Sequence, residues 1–253
     1  MSRVPALLLA PIVLRQAARL RASVPQLPEA RGAHDGLVGA RGRAGAGAGA
    51  DAAVGVGSGV GAGVGHPLRV LVVGDSTAVG TGVTTLDDAI PGRLARLLSD
   101  RGAVAWRAVG RSGATAREVL EGFADAAVAA HFDLGVVLVG WNDAMRLRPA
   151  SEFARALGAL LDRLHAGSPE ARLIVVAPPG FGRFAALPNP VRWVLGRHAN
   201  GLTRRAGRVA REHGAATASG FDGRSVASDG FHPDAAGYQA LAEGIVAAFR
   251  ARP

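Results

Sequence analysis

From Pro67 onward, short runs of consecutive apolar residues alternate with stretches whose apolar positions recur every three or four residues. Val70 to Val73, Val136 to Val139 and Leu173 to Val176 are rich in β-branched residues and apolar without interruption, the pattern of strands covered on both faces in a parallel sheet. Val104 to Val109 and Ala215 to Phe221 predict two weaker strands. Between them, Phe153, Leu157, Leu160, Leu161 and Leu164 recur at helical spacing behind Ser151, a suitable N-cap, and Tyr238, Leu241, Ile245 and Phe249 do so near the end. Asn189-Pro190 predicts a helix start, and Gly214 after His213 a stop. Strand and helix alternating in this way predict an α/β fold, a three-layer α/β/α sandwich with a central parallel sheet. Such sheets bind ligands at the C-terminal ends of their strands.

Upstream the texture is different. From about Gly36 the composition collapses to Gly, Ala and Val, with a glycine at every odd position from Gly55 to Gly65. A segment with so much backbone entropy and so few side chains to bury is expected to be a flexible linker over 36–66. It would join an N-terminal extension, residues 1–35, to one folded domain over 67–253. Strict alternation excludes a GxGxxG phosphate loop within the Gly55–Gly65 run, and the absence of lysine excludes GxxxxGK[ST]. A length of 253 residues with 49% hydrophobic content suits one large domain with a proper core.

The formal charge of +9 is carried by arginine alone. The arginines are spread along the chain without a dense run, and a single tyrosine is available for stacking on bases, so no nucleic-acid partner is expected. The lack of cysteine excludes disulfides, thiolate metal sites and a cysteine nucleophile, and leaves the compartment open. Val4 to Leu14 is an apolar stretch broken by Pro5 and Pro11 and closed by Arg15, Arg19 and Arg21, too short to cross a bilayer. No Ala-x-Ala site follows at a suitable distance, and arginines occupy the cleavage region. A cytoplasmic or peripheral-membrane location is therefore favoured over secretion. Peripheral membrane contact through residues 1–30 and a plain extension that packs or frays both remain open.

Three apolar runs end in polar residues on the same expected rim: Gly74-Asp75-Ser76-Thr77, Gly110-Arg111-Ser112-Gly113 and Gly140-Trp141-Asn142-Asp143. A fourth block, Asp229-Gly230-Phe231-His232-Pro233, lies downstream. A hydroxyl delivered by a strand end, with an imidazole and a carboxylate available, points to acyl transfer. A free serine hydroxyl is a poor nucleophile at neutral pH and needs an imidazole to take its proton. Asp229, three residues before His232, allows a tight turn to set a carboxylate against one ring nitrogen while the other faces Ser76.

Plainer readings stand beside this one. Ser76 and Gly113 also suit turns, Asn142-Asp143 an ordinary turn after a strand, and His-Pro-Asp a helix cap through Asp234. Asp75 reads as a brace for the Ser76 turn and Asp143 as a supporting residue, while Trp141 suits a pocket wall or the core. The other histidines show no HExxH or paired spacing, so neither metal nor cofactor is expected. GxSxG, the ordinary α/β-hydrolase nucleophile elbow, is absent.

The four blocks, in this order, resemble those of the SGNH hydrolase superfamily, the GDSL-type esterases and lipases, over about Leu68 to Phe249. The resemblance implies a flavodoxin-like sandwich and a serine esterase with Ser76 as nucleophile, His232 as general base and then acid, and Asp229 orienting His232. It implies an oxyanion hole from the backbone N–H groups of Ser76 and Gly113 and the side-chain amide of Asn142. Two departures stand out: Thr77 replaces the family leucine, and Ala108 lies near the place of an asparagine common before the second block. The family covers lysophospholipids, short acyl esters, thioesters and acetylated sugars. A small-molecule acyl ester is the expected substrate, with a tilt towards lysophospholipase-like activity from the N-terminal segment. An acyltransferase using the same serine and a non-catalytic lipid-surface binding protein are the alternatives.

Overall fold

The computed structural model describes residues 25–39 and 66–251, except 179, 185 and 220, together with residues 11, 15, 16 and 19. Six strands form one sheet: β1 (Asp35–Val38), β2 (Leu68–Gly74), β3 (Val104–Gly110), β4 (Leu134–Leu138), β5 (Arg172–Val176) and β6 (Ala216–Ala218). Their order is β1-β3-β2-β4-β5-β6, with β2 to β6 all parallel and β1 antiparallel at the edge. The parallel part therefore starts in the middle, at β2, and runs outward in both directions. The strand order reverses at β2, where the crevice between its two neighbours forms a natural ligand site.

Alternation along β2 makes the three layers. Leu71 and Val73 point to a cluster with α2 (Ala116–Val128), α4 (Ala150–Gly167) and α5 (Val191–Glu212). Val70 and Val72 point the other way, to α1 (Ile90–Leu98) and α6 (Ala235–Arg250). Both faces being covered explains why these strands read as unbroken apolar runs. A short helix α3 (Trp141–Met145) follows β4 directly. The predicted helix behind Ser151 begins at Ala150 with Pro149 before it, so Ser151 sits in the first turn and is not the cap. Pro149 there presets the backbone where no intrahelical N–H partner is needed. Asp234 caps α6, accepting from the Gly237 N–H at 2.9 Å.

The strand expected over Ala215 to Phe221 narrows to Ala216–Ala218, and β4 ends one residue short of Val139. The sheet is also not wholly parallel, because the segment before the glycine-rich stretch returns as β1. Residues 36–38, set in the linker by composition, pair with β3 from Trp106 to Val104. Gly36 lies on the indole of Trp106, where a Cβ would come within 2.6 Å of the ring. Here glycine admits a close approach and is not a mark of looseness. The rest of the expected linker, 40–65, lies outside the described residues.

The chain before β1 crosses the C-terminal rim of the sheet. The Ala30 N–H donates to the Val79 carbonyl at 3.1 Å, the Arg31 N–H to Thr84 at 2.8 Å, and the Glu29 carboxylate accepts from the Ser112 N–H at 2.6 Å. This strap ties the loop after β2 to the loop after β3.

Candidate active site

Ser76 stands at the exit of β2, 4% exposed, in a turn braced by Asp75, whose Oδ1 accepts from the Thr77 N–H at 3.0 Å. The hydroxyl lies 2.9 Å from His232 Nε2. On the other side of the ring, His232 Nδ1 is hydrogen-bonded to Asp229 Oδ2. Asp229 Oδ1 accepts the backbone N–H groups of Phe231 at 2.9 Å and His232 at 3.0 Å. The turn is closed by the Ala227 N–H donating to the His232 carbonyl at 2.8 Å and by a bridge between Val226 and Pro233. Asp234 caps α6, while His232 turns back to Ser76.

The electrostatics differ between the two nearby carboxyl groups. Burial opposes ionisation of Asp229, but hydrogen bonds from the His232 ring and from the Phe231 N–H outweigh it and hold the group below the usual carboxylate range. Asp75 is buried, and burial pushes it up to about 6 against the hydrogen bonding from Thr77 and the nearby His232. A carboxylate beside a ring nitrogen fixes the tautomer in which Nε2 accepts a proton.

Gly113 and Asn142 are brought together by the loop after β3. Asn142 Nδ2 donates to the Ala114 carbonyl at 3.0 Å, Asp143 Oδ2 accepts from the Ala116 N–H at 2.9 Å, and Arg146 donates to the Gly113 carbonyl at 2.8 Å. Two residues of α3 and its C-cap Arg146 thus staple residues 113–116. Asp143 sits at the N-terminus of α2, and burial raises its pKa against the opposing hydrogen bond from Ala116. Gly113 has φ +79, a left-handed conformation that explains the glycine. Neither the Ser76 N–H nor the Gly113 N–H has an acceptor among the described residues. Backbone donors without partners are available to an anionic oxygen. Glu29, which holds the Ser112 N–H beside Gly113, had no signal in the sequence, being 83 positions away.

A cavity of about 510 Å³ opens beside Ser76 and His232. Leu138, Val139, Val176, Phe231 and Leu241 make much of its wall, with Thr203, Ser219 and Asp222 as polar elements. Trp141 serves both suggested purposes: it lines the cavity and stacks on buried Phe181 with ring centroids 4.2 Å apart. Thr77, where the family leucine is expected, also lines the cavity. Among the described residues no three His, Asp or Glu side chains gather as a metal would require.

A family model described as the GDSL-like Lipase/Acylhydrolase family matches residues 72–240. Among solved structures, phospholipase A1 from Streptomyces albidoflavus NA297 is 19% identical with a TM-score of 0.56, covering 72% of this chain and 100% of that one. The lipase/acylhydrolase from Enterococcus faecalis is 20% identical with a TM-score of 0.57, covering 71% of this chain and 94% of its own. A catalytic mutant of Axe2, an acetylxylan esterase from Geobacillus stearothermophilus, is 19% identical with a TM-score of 0.55, covering 75% and 97%. At these identities the likeness is one of fold. No curated protein matches the sequence significantly.

Proposed function

Since the chain belongs to the GDSL-like lipase/acylhydrolase family and is a hydrolase of carboxylic esters, we propose that its reaction runs through an acyl-enzyme on Ser76. The observation that carries this reading is the unbroken relay from the Ser76 hydroxyl, 2.9 Å from His232 Nε2, through the ring to Asp229. Ser76 Oγ attacks the ester carbonyl as Nε2 takes its proton, and Asp229 stabilises the imidazolium that forms. The carbonyl oxygen becomes an oxyanion, received by the N–H groups of Ser76 and Gly113 and the amide of Asn142. Collapse expels the alcohol, which takes the proton from Nε2. Water then attacks the acyl-enzyme, giving its proton to Nε2, and the free acid leaves as the proton returns to Ser76.

The apolar wall beside the serine supports an acyl chain as the group bound there, and with it a lipid-like ester of the lysophospholipid type as substrate. Labelling with a fluorophosphonate probe, followed by hydrolysis of an ester panel graded by acyl length, tests both statements. The expected result is labelling that Ser76→Ala abolishes, with rates rising from acetyl to longer chains. Wild-type hydrolysis by Ser76→Ala overturns the mechanism. A preference for acetyl esters overturns the lipid assignment alone.

A further inference from the structure

The arginines that look scattered in sequence are gathered by α5. This 22-residue helix carries six arginines and one carboxylate, Glu212, at its last position. Its apolar face, from Val191 through Leu195, Ala199, Leu202 and Ala206 to Val209, is buried in the core. The opposite face reads Trp193, Arg197, Asn200, Arg204, Arg208 and Arg211, all exposed, with Arg205 beside them. Steps of three and four residues align these side chains in one straight stripe, about 27 Å long at about 1.5 Å per residue. None of the arginines on this helix forms an ion pair among the described residues, whereas arginines elsewhere do. Five like charges along one face repel one another, and that cost is relieved by an anionic partner.

We infer that the outer face of α5 is a docking surface for an anionic lipid bilayer. Three observations select a bilayer over other polyanions. Trp193 is 51% exposed at one end of the stripe, with the Arg197 guanidinium 5.2 Å from its ring centroid. An amphipathic ring beside cations is the composition of a helix lying in the headgroup region. At this same end Gln16 donates to the Asn189 carbonyl at 2.8 Å and accepts from the Val191 N–H at 3.4 Å, so the segment carrying exposed Arg15 and Arg19, which follow the apolar Val4 to Leu14 run in sequence, meets the start of α5. Finally, Thr203 of α5 lines the cavity next to Ser76, so a bilayer held on this helix lies alongside the wall of the acyl-binding space. The surface itself is independent of the chemistry assigned to Ser76.

A basic residue near an anionic membrane contributes about 1 kcal/mol, or about fivefold in partitioning. Co-sedimentation of the full chain with phosphatidylcholine vesicles, with and without about 30% phosphatidylserine, reads this directly. Binding is expected only with phosphatidylserine and is expected to weaken as salt rises well above about 0.1 M. The pairs Arg204→Gln/Arg208→Gln and Arg197→Gln/Arg211→Gln are each expected to lose about 30-fold in partitioning, at unchanged melting temperature and unchanged turnover of a soluble short-chain ester. The inference is overturned if both pairs bind like wild type, or if wild type ignores phosphatidylserine. It is equally overturned if the pairs lose binding to a DNA duplex and not to vesicles. A chain that binds vesicles through α5 yet hydrolyses no ester would leave the surface standing and remove the proposed reaction.

Discussion

Replacing Asp75 by asparagine should make the protein more stable at neutral pH. Asp75 is 3% exposed and accepts one backbone N–H, from Thr77, so its charge is poorly compensated. Burial raises its pKa from 3.8 to about 6, against the smaller opposing effects of the Thr77 hydrogen bond and the nearby His232. In the unfolded chain the carboxyl regains its ordinary value. Between pH about 4 and about 6 the native state therefore holds a proton that the unfolded state has released. Stability falls as pH rises through that window and levels off above it. At about 1.4 kcal/mol per pH unit, the gap between the two values corresponds to about 3 kcal/mol lost by pH 7. Asparagine is nearly isosteric, stays neutral, and keeps an oxygen for the Thr77 N–H. Asp75→Asn is thus expected to gain up to about 3 kcal/mol above pH 6 and almost nothing below pH 4. Urea unfolding of both proteins between pH 4 and 7.5 measures the difference. Asp229, with its lowered pKa, contributes stability that is lost as pH falls, but it is present in both proteins and subtracts out. A variant less stable at pH 7.5, or equally stabilised at pH 4, would refute the reasoning. Under the proposed mechanism turnover should fall in the same variant, because the Asp75 anion would stabilise the imidazolium formed on nearby His232, a trade of stability for activity.

Other substitutions probe the supports of the site. Glu29→Ala removes the acceptor held by the Ser112 N–H at 2.6 Å and frees the loop carrying Gly113. Turnover should drop about tenfold, or about 1.4 kcal/mol, with KM little changed, and an unaltered kcat would leave Glu29 without a positioning role. Asn142→Ala deletes the amide proposed as an oxyanion donor and the staple to the Ala114 carbonyl, so kcat should fall about 100- to 1,000-fold while the acyl-enzyme still forms on probe labelling. Wild-type kcat in that variant would exclude the amide from the oxyanion hole. Tyr238→Phe strips the buried Thr81 carbonyl of its 2.8 Å donor and should cost about 1 to 3 kcal/mol in urea unfolding, with no loss arguing that a water replaces the hydroxyl.

Much of the fold was legible because strands covered on both faces cannot hide their pattern. Val70 to Val73 has to be apolar on every residue when α2, α4 and α5 pack on one side and α1 and α6 on the other. The first three polar blocks were legible for a related reason: each follows a strand directly, so local sequence sets which residues reach the C-terminal rim. The spacing of Asp229 and His232 likewise encodes its own turn.

What the linear pattern could not carry is anything that depends on residues meeting across the chain. Residues 36–38 have the composition of a tether, yet they pair with β3 as the edge strand β1, where Gly36 fits against the indole of Trp106 because it has no Cβ. Glu29 acquires meaning only when the strap carries it over the rim to the Ser112 N–H. Asp75 and Asp229 are the same residue type in similar motifs, and their pKa values move in opposite directions according to how many N–H groups surround each once buried. The arginines of α5 are unremarkable in order along the chain and become a single charged stripe only on a helix packed by its other side. Local sequence sets periodicity and turns, which depend on neighbours in the chain. Burial, charge clustering and long-range hydrogen bonds depend on neighbours in space, and those exist only once the layers have closed.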